Sequence, residues 1–221
     1  MGDAGVRKVF RTVIKAILFD VDGTLVDSSE AHIAFFQRIF QAVGYGIPPK
    51  ESIRKCFHLS MSDALRTLAA DKPTQEVERL LAVGNTVRYP TELQKVPEHS
   101  LQVVRELSKT FSLALVTSRR RIGVESYFTV APVRDYFSII VAVEDVVQRK
   151  PHPEPLLTAI KRLGVMSKEA VYIGDSPVDG EAAKAAGMRF IACTDIPGAD
   201  AYFSSFRELP RLISQLGSKT L

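Results

Sequence analysis

The fold is decided by one stretch near the start of the chain, Val13-Ile14-Lys15-Ala16-Ile17-Leu18-Phe19-Asp20-Val21-Asp22-Gly23-Thr24. Residues 13–19 are mostly β-branched or apolar, which is typical of a strand buried on both faces. The acidic residues and the glycine that follow end this run in a turn. Strands buried on both faces belong to parallel sheets that helices cover, so the stretch predicts an α/β fold.

Four later apolar runs resemble the first and predict further strands at residues 113–116, 139–143, 171–173 and 190–192. The segments between them carry apolar residues at helical spacing, as in Leu101, Val104 and Leu107. Strands that alternate with helices form a parallel sheet with helices on both faces. The sequence therefore predicts a three-layer α/β/α, Rossmann-like core built from residues 1–27 and 96–221.

Residues 28–95 interrupt this alternation. An apolar helical face runs from residue 33 to residue 43 and ends at Gly44, and two more helices are expected over 62–68 and 74–89. No convincing strand pattern lies among them. We therefore predict an inserted all-helical module that leaves the core near Asp27 and rejoins it near Pro97.

The composition is that of an ordinary globular protein, with 46% apolar and 24% charged residues in 221. A net charge of +4 without a long basic run argues against a nucleic-acid partner. The longest apolar runs are too short to cross a bilayer, and no secretory signal is visible. We expect a cytoplasmic monomer or homodimer with no membrane partner, in which Cys56 and Cys193 are reduced thiols.

Polar residues follow the predicted strands, at the sheet edge where open parallel sheets bind ligands. The carboxylates among them need a cation nearby, because two carboxylates about 4 Å apart repel by roughly 4 kcal/mol at an effective dielectric near 20. Oxygen ligands with room for water suit Mg²⁺. The polar residues at these positions are Asp20, Asp22, Thr117, Ser118, Lys150, Asp175 and Asp179.

This set of groups is suited to phosphoryl transfer, which requires charge neutralisation and positioning. Lys150 would neutralise one phosphate oxygen, while the Thr117 hydroxyl and the backbone N–H groups around Gly23 and Ser118 would hold others. Asp20 would attack phosphorus and become an aspartyl phosphate. Asp22 would protonate the leaving oxygen and then take a proton from the hydrolytic water.

The motifs together resemble the haloacid dehalogenase-like hydrolase superfamily. They occur in the family's order as Asp20-Val21-Asp22-Gly23-Thr24-Leu25-Val26-Asp27-Ser28, Thr117, Lys150-Pro151-His152-Pro153-Glu154 and Gly174-Asp175-Ser176-Pro177-Val178-Asp179. The helical module resembles the small cap of the phosphoglycolate phosphatase and β-phosphoglucomutase branch. The resemblance implies a substrate such as a phosphoglycolate-like acid or a sugar phosphate. It also implies a Mg²⁺ site with the following ligands: Asp20, the Asp22 backbone carbonyl, Asp175 and, in support, Asp179.

Several side chains have roles that the sequence leaves open. The run Arg119-Arg120-Arg121 either begins a solvated helix or brings one arginine, with Arg119 as our candidate, to a substrate anion. His32 lies where many relatives carry a histidine, and it either contacts Asp22 or the leaving group or packs inside the module. His58 stands where relatives often have glycine, so it either alters the substrate fit or is an exposed loop residue.

Other functions are compatible with part of this arrangement. A phosphomutase would return the phosphoryl group to its substrate, but such enzymes tend to carry glutamate where this chain has Gly174. A pyrophosphatase or a nucleotidase is compatible with the same core. A receiver-like regulator would hold its aspartyl phosphate, whereas Asp22 supplies a base for turnover. A non-catalytic scaffold is disfavoured because every expected catalytic position is filled.

Overall fold

The computed structural model describes residues 13–57 and 59–218. Within them lies one six-stranded sheet in which all neighbouring strands are parallel. Its strands are β1 (Ala16–Phe19), β2 (Ser112–Val116), β3 (Phe137–Val141), β4 (Ala170–Gly174), β5 (Arg189–Ala192) and β6 (Ala201–Tyr202). Their spatial order is β3-β2-β1-β4-β5-β6, which places β1 and β4 in the middle of the sheet.

Helices cover both faces of this sheet, which confirms the predicted three-layer core. The core helices are α5 (Ser100–Leu107), α6 (Arg121–Val130), α7 (Glu154–Leu163), α8 (Pro177–Ala185) and α9 (Leu209–Ser218). Strand alternation directs Ile17 and Phe19 of β1 to the face that α5, α6 and α9 cover, and Leu18 to the face of α7 and α8. Both faces of β1 are therefore buried, as its apolar sequence predicted.

The segment between β1 and β2 is helical. It contains α1 (Ser29–Val43), α2 (Lys50–Arg54), α3 (Met61–Leu68) and α4 (Thr74–Gly84), and no β-strand among its described residues. A hydrophobic cluster of its own holds these helices together, with Ile39, Leu65 and Leu80 fully buried. Helix α2 was not predicted from the sequence. The prediction of a helix over 74–89 was wrong at the end, because α4 ends at Gly84.

The helical segment leaves and rejoins the sheet through two adjacent chain crossings. Asp27 and Lys95 form an isolated antiparallel bridge, in which each backbone N–H donates to the other residue's carbonyl, at 2.8 and 2.9 Å. The crossings therefore lie directly beyond the end of β1, next to the turn that carries the acidic motif. No helix in the described part of the chain is long and apolar enough to cross a membrane.

Candidate active site

The carboxyl ends of two neighbouring strands, β1 and β4, bring the predicted acidic residues together. Asp20 directly follows β1, Asp175 directly follows β4, and Asp179 lies in the first turn of α8. One carboxylate oxygen from each of the three lies within 4.8 Å of the other two. We call these three residues the acidic cluster. Asp20 and Asp179 are buried, with 6% and 1% exposure, and Asp175 is half-buried.

Lys150 balances part of this negative charge. Its ammonium group donates to Asp20 Oδ1 at 2.8 Å, to Asp179 Oδ1 at 2.7 Å and to the Tyr172 hydroxyl at 2.8 Å. Burial acts to lower the pKa of Lys150, but Asp179 and Asp20 outweigh it and raise this pKa above its ordinary value. Lys150 therefore stays charged at neutral pH.

Burial and mutual repulsion raise the pKa values of two members of the acidic cluster. Burial raises the pKa of Asp20 to about 7, although Lys150 opposes it. Burial, with Asp20 and Asp179 nearby, raises the pKa of Asp175 to about 8. One ammonium group does not compensate three carboxylates. A divalent cation that prefers oxygen ligands, such as Mg²⁺, fits this set of donors.

Two glycines make room for the acidic cluster. Gly23 has φ +75°, which favours glycine, and a Cβ atom there would overlap the Asp175 carboxylate. A Cβ atom at Gly174 would lie 2.7 Å from the Cβ, Cγ and Oδ2 atoms of Asp179. The motif glycines thus allow the acidic side chains to approach the backbone closely.

The start of α8 fixes the Asp179 carboxylate. Ser176 is the N-cap residue, and its hydroxyl donates to Asp179 Oδ2 at 2.7 Å. The backbone N–H groups of Asp175 and Ser176 also donate to this oxygen, at 3.3 and 3.2 Å. Asp179 completes a capping box with Ser176, whereas Asp175 does not cap the helix. The second oxygen, Oδ1, is left to face Lys150 and Tyr172.

The loop that carries Lys150 is held by Glu154 of the same motif. The Glu154 carboxylate accepts the backbone N–H groups of Val147 and Gln148, at 2.8 and 2.9 Å. These two hydrogen bonds lower the pKa of Glu154 below its ordinary value. Glu154 therefore ties the start of α7 to the loop that leads to the active-site lysine.

The Asp22 side chain points away from the acidic cluster. Arg119 grips its carboxylate with two donors, Nε to Oδ2 at 2.6 Å and Nη2 to Oδ1 at 2.5 Å. The Ser28 hydroxyl also donates to Oδ1. Burial acts to raise the pKa of Asp22, but the Arg119 guanidinium outweighs it and holds this pKa well below the ordinary range.

Arg119 is not part of a solvated helix start, one of the two interpretations that the sequence left open; a contact with a substrate anion, the other one, stays a prediction. Its side chain is only 8% exposed, and it donates to the Gly123 carbonyl at 2.9 Å besides Asp22. With its amide oxygen turned toward the guanidinium, Gln94 accepts from Arg119 at 2.9 Å. The helix begins two residues later, and the neighbouring Arg120 and Arg121 are exposed.

The remaining predicted residues lie close to this pair or outside the described chain. His32 packs inside the helical segment, since its ring contacts Phe57 and Tyr89 and its Nδ1 atom lies 2.9 Å from the Tyr89 hydroxyl. The same atom lies 4.0 Å from Asp22 Oδ1, near this carboxylate but beyond hydrogen-bond distance. The Thr117 hydroxyl accepts the Arg119 N–H at 3.1 Å, and Ser118 between them is exposed. His58 lies outside the described residues.

Two side chains of the site were missed by sequence reasoning. Tyr172 contacts both Lys150 and Asp179, and Tyr89 contacts His32 and lies with its ring centroid 6.0 Å from the Arg119 guanidinium. Strand alternation could have found Tyr172, because it stands two residues before Gly174 on the same face of β4. Tyr89 carried no comparable signal, since it lies in an irregular linker.

Comparison with known proteins agrees with this geometry. The sequence matches the haloacid dehalogenase-like hydrolase family over residues 17–193. The pyrophosphatase PpaX of Bacillus pumilus is 30% identical over 196 residues, which cover 87% of this chain and 89% of that protein.

Two solved structures share the fold over nearly the whole chain. A haloacid dehalogenase-superfamily hydrolase of subfamily IA from Geobacter sulfurreducens has a TM-score of 0.74 and 29% identity, covering 90% of this chain and 96% of its own. A CbbY variant from Rhodobacter sphaeroides, in complex with xylulose 1,5-bisphosphate, has a TM-score of 0.77 and 26% identity, covering 89% and 96%. With four ordered motifs gathered at one sheet edge, the chain belongs to the haloacid dehalogenase-like hydrolase family and is a phosphohydrolase.

Proposed function

We propose that this phosphohydrolase is a Mg²⁺-dependent phosphatase that cleaves a small phosphate monoester through an aspartyl phosphate on Asp20. One observation carries the proposal. The Asp20 carboxylate is buried at the end of β1, with Lys150 at 2.8 Å and the other carboxylates of the acidic cluster within 4.8 Å. A nucleophilic carboxylate, a fixed positive charge and a set of oxygen donors therefore converge on one point.

The proposed reaction has two steps. Asp20 attacks phosphorus while Asp22 protonates the leaving oxygen, so that the alcohol departs and an aspartyl phosphate remains. Because Arg119 keeps Asp22 ionised in this structure, Asp22 has to leave that pair and take up a proton before it can act as the acid. Asp22 then takes a proton from water, which attacks phosphorus and releases inorganic phosphate from Asp20. Lys150 neutralises one phosphoryl oxygen, and the Thr117 hydroxyl with the backbone N–H groups of Gly23 and Ser118 would hold the others.

Magnesium would be held by Asp20, the Asp22 backbone carbonyl and Asp175, with Asp179 in support, and it would neutralise charge on the phosphoryl group. Among the described carboxylates, the Asp22 side chain lies outside the acidic cluster. This position supports the division of roles in which the Asp22 carboxylate serves as acid and base, while its backbone carbonyl serves as ligand.

Residues 28–95 are proposed to act as a cap that closes over the substrate and excludes water. Hydrogen bonds between exposed side chains also join this segment to core loops around the site. Arg149 donates to Asp63 at 3.3 Å, and Arg120 donates to Asn85 at 3.2 Å. His32 would then face the substrate from the cap side, and an effect of His58 on substrate fit stays a prediction from the sequence.

The substrate class follows from the site and from the relatives. Sugar phosphates are supported by the CbbY variant, whose structure contains xylulose 1,5-bisphosphate, and a phosphoglycolate-like acid remains the other leading substrate. Pyrophosphate is a second candidate, because PpaX is named a pyrophosphatase. A phosphomutase is disfavoured, since the space that a glutamate would need at Gly174 is filled by Asp179.

We also propose that the enzyme is cytoplasmic, acts as a monomer or homodimer, and needs neither nucleic acid nor a membrane. The two free cysteines, Cys56 and Cys193, support a reducing compartment.

A phosphate-release screen tests the proposed function. The purified protein would be offered sugar phosphates, phosphoglycolate, nucleotides and pyrophosphate, each with Mg²⁺ and with a chelator. We expect release from at least one monoester with Mg²⁺ and none with the chelator. Release of two phosphates per molecule from pyrophosphate alone would favour the second candidate instead.

Two variants complete this experiment. Asp20→Asn should abolish release and leave the melting temperature nearly unchanged. The matched control is Asp135→Asn, because Asp135 is exposed in a short helix before β3, at the opposite end of the strands. This control should retain full activity. Full activity in Asp20→Asn would eliminate the covalent mechanism.

A further inference from the structure

Tyr172 carries a polar group into the most buried part of the sheet. Its side chain is fully buried on β4, and its ring packs against Phe190 at a centroid distance of 6.1 Å. The hydroxyl nevertheless lies 2.8 Å from both Lys150 Nζ and Asp179 Oδ1, and 3.3 Å from the Val116 carbonyl. A buried hydroxyl is costly unless it is hydrogen-bonded, so these contacts explain how the sheet accommodates a tyrosine here.

The hydroxyl completes the hydrogen bonding of the Lys150 ammonium group. An ammonium group has three N–H donors and no acceptor. The three acceptors around Lys150 are Asp20, Asp179 and Tyr172, all at 2.7 to 2.8 Å. Each donor thus has one partner, and Tyr172 is the neutral one. Without the Tyr172 hydroxyl, one N–H group of Lys150 would lose its acceptor inside the protein, because the lysine side chain is only 5% exposed.

The strand geometry brings these groups together. Residues two apart on a strand lie on the same face, so Tyr172 and Gly174 both face α7 and α8. Gly174 has no side chain, and the Asp179 carboxylate fills the space directly above the tyrosine hydroxyl. The Tyr172 hydroxyl can donate to Asp179 while accepting from Lys150.

We propose that Tyr172 is a positioning residue that fixes the Lys150 ammonium group between Asp20 and Asp179. The two carboxylates attract the lysine from two sides, and the hydroxyl sets the third direction, so that Lys150 does not collapse onto either carboxylate. When Asp20 turns to phosphorus, Asp179 and Tyr172 keep the ammonium group in place. The catalytic half of this inference rests on the proposed function, whereas the positioning half does not.

Lysine ammonium NMR tests the positioning half without any substrate. The protein would be labelled with ¹⁵N at the lysine side chains, and the Lys150 signal would be identified by its loss in Lys150→Met. We expect a signal protected from solvent exchange in the wild-type protein. In Tyr172→Phe, which removes only the hydroxyl, this signal should exchange about tenfold faster or more, since one hydrogen bond to a charged group is lost.

The chain offers a matched control in Tyr127. It is also a fully buried tyrosine, but its hydroxyl has no hydrogen-bond partner within the described residues. Tyr127→Phe should therefore leave the Lys150 signal and the phosphatase activity unchanged. Phe190→Leu serves as a second control, because it loosens the packing beside Tyr172 and keeps the hydroxyl. It should lower the melting temperature without changing the ammonium exchange.

Kinetics test the catalytic half. For the best substrate of the release screen, Tyr172→Phe should lower kcat about 10- to 100-fold with KM changed less than about threefold, since the fixed charge acts on the phosphoryl group. The inference would be overturned if, in Tyr172→Phe, the Lys150 ammonium exchanged at the same rate as in the wild type and kcat were unchanged. An unprotected Lys150 signal in the wild-type protein would also overturn it, even if the variant did not fold. If the wild type released no phosphate but the NMR result held, the proposed function would fail and the positioning would stand.

Discussion

A methyl group added at Gly174 should disturb the active site through a single contact. In Gly174→Ala the new Cβ atom would lie 2.7 Å from three atoms of Asp179, closer than real Cβ contacts. The Asp179 carboxylate cannot retreat freely, because Lys150, Tyr172 and Ser176 hold its two oxygens. The substitution therefore forces β4 and the start of α8 apart.

The expected cost combines two opposing terms. Overpacking of a well-packed interior costs about 1 to 3 kcal/mol. Replacing glycine by alanine lowers the entropy of the unfolded chain, which offsets about 0.4 to 1 kcal/mol, and no positive φ at Gly174 adds strain. The midpoints of the two ranges leave a net loss of about 1.3 kcal/mol. For a protein of this size it corresponds to a melting temperature lower by roughly 3 to 5 °C.

The effect on catalysis should exceed the effect on stability. A displacement of about 1 Å in an active site can reduce the rate about 100-fold, so we expect kcat to fall about 10- to 100-fold. Thermal unfolding and phosphate release would be measured on the same preparations. Gly46→Ala is the matched control, because a Cβ atom at Gly46 would meet no atom within 4 Å and its φ is not positive. A wild-type kcat and melting temperature in Gly174→Ala would refute the packing described for Asp179.

Two further substitutions test the ion pair and the lysine loop. Arg119→Met should destabilise the protein by about 1 to 3 kcal/mol in urea unfolding at pH 7, because the partly buried Asp22 loses its charged partner. The pKa of Asp22 is lowered in the folded protein, so the difference in unfolding free energy between wild type and variant should be complete at a pH above the ordinary pKa range of aspartate. It should shrink as the pH falls below that range. A difference that does not depend on pH would contradict the pairing. Glu154→Gln should lower kcat about tenfold by loosening the loop that carries Lys150. As the pKa of Glu154 is also lowered, the wild type should lose stability relative to this variant as the pH falls below about 4.5, and melting curves at pH 7 and pH 4 would detect it.

The parts of the fold that the sequence predicted are those with a strong local pattern. Residues 16–19 and 170–174 are apolar on both faces, and they form the central strands β1 and β4. The residues that follow these strands had to meet, because neighbouring parallel strands end at the same edge of a sheet. For this reason Asp20, Asp175 and Lys150 could be placed together before the structure was known.

The parts that were missed depend on tertiary contacts. The edge strand β6 has only two residues, too few for a periodic pattern, and it forms because Phe203 and Ala192 share a backbone hydrogen bond beside it. In α7, Leu157 is 41% exposed although its neighbour Leu156 is fully buried, a difference between two adjacent leucines that the residue type alone does not predict.

The partner of Asp22 was also beyond the reach of the sequence. Arg119 stands 97 residues away, and three consecutive arginines offered no local reason to choose one. In the structure Arg119 is buried and points back to the Asp22 turn, whereas Arg120 and Arg121 lie at the exposed start of α6. Pairing of this kind depends on loop geometry that no periodicity encodes.

The pairing separates two carboxylates that are only two residues apart. Burial, with Asp179 and Asp22 nearby, raises the pKa of Asp20 to about 7 against the opposing effect of Lys150, whereas Arg119 holds the pKa of Asp22 low. The Arg119 guanidinium neutralises the charge of Asp22, so this carboxylate needs no metal cation. The acidic cluster has one ammonium group for three carboxylates, so a divalent ion would find its favourable site there and not at Asp22. Two arrangements of charge thus separate neighbouring aspartates in one turn: the Asp20 carboxylate can join a divalent ion, whereas the Asp22 carboxylate is held ionised by Arg119.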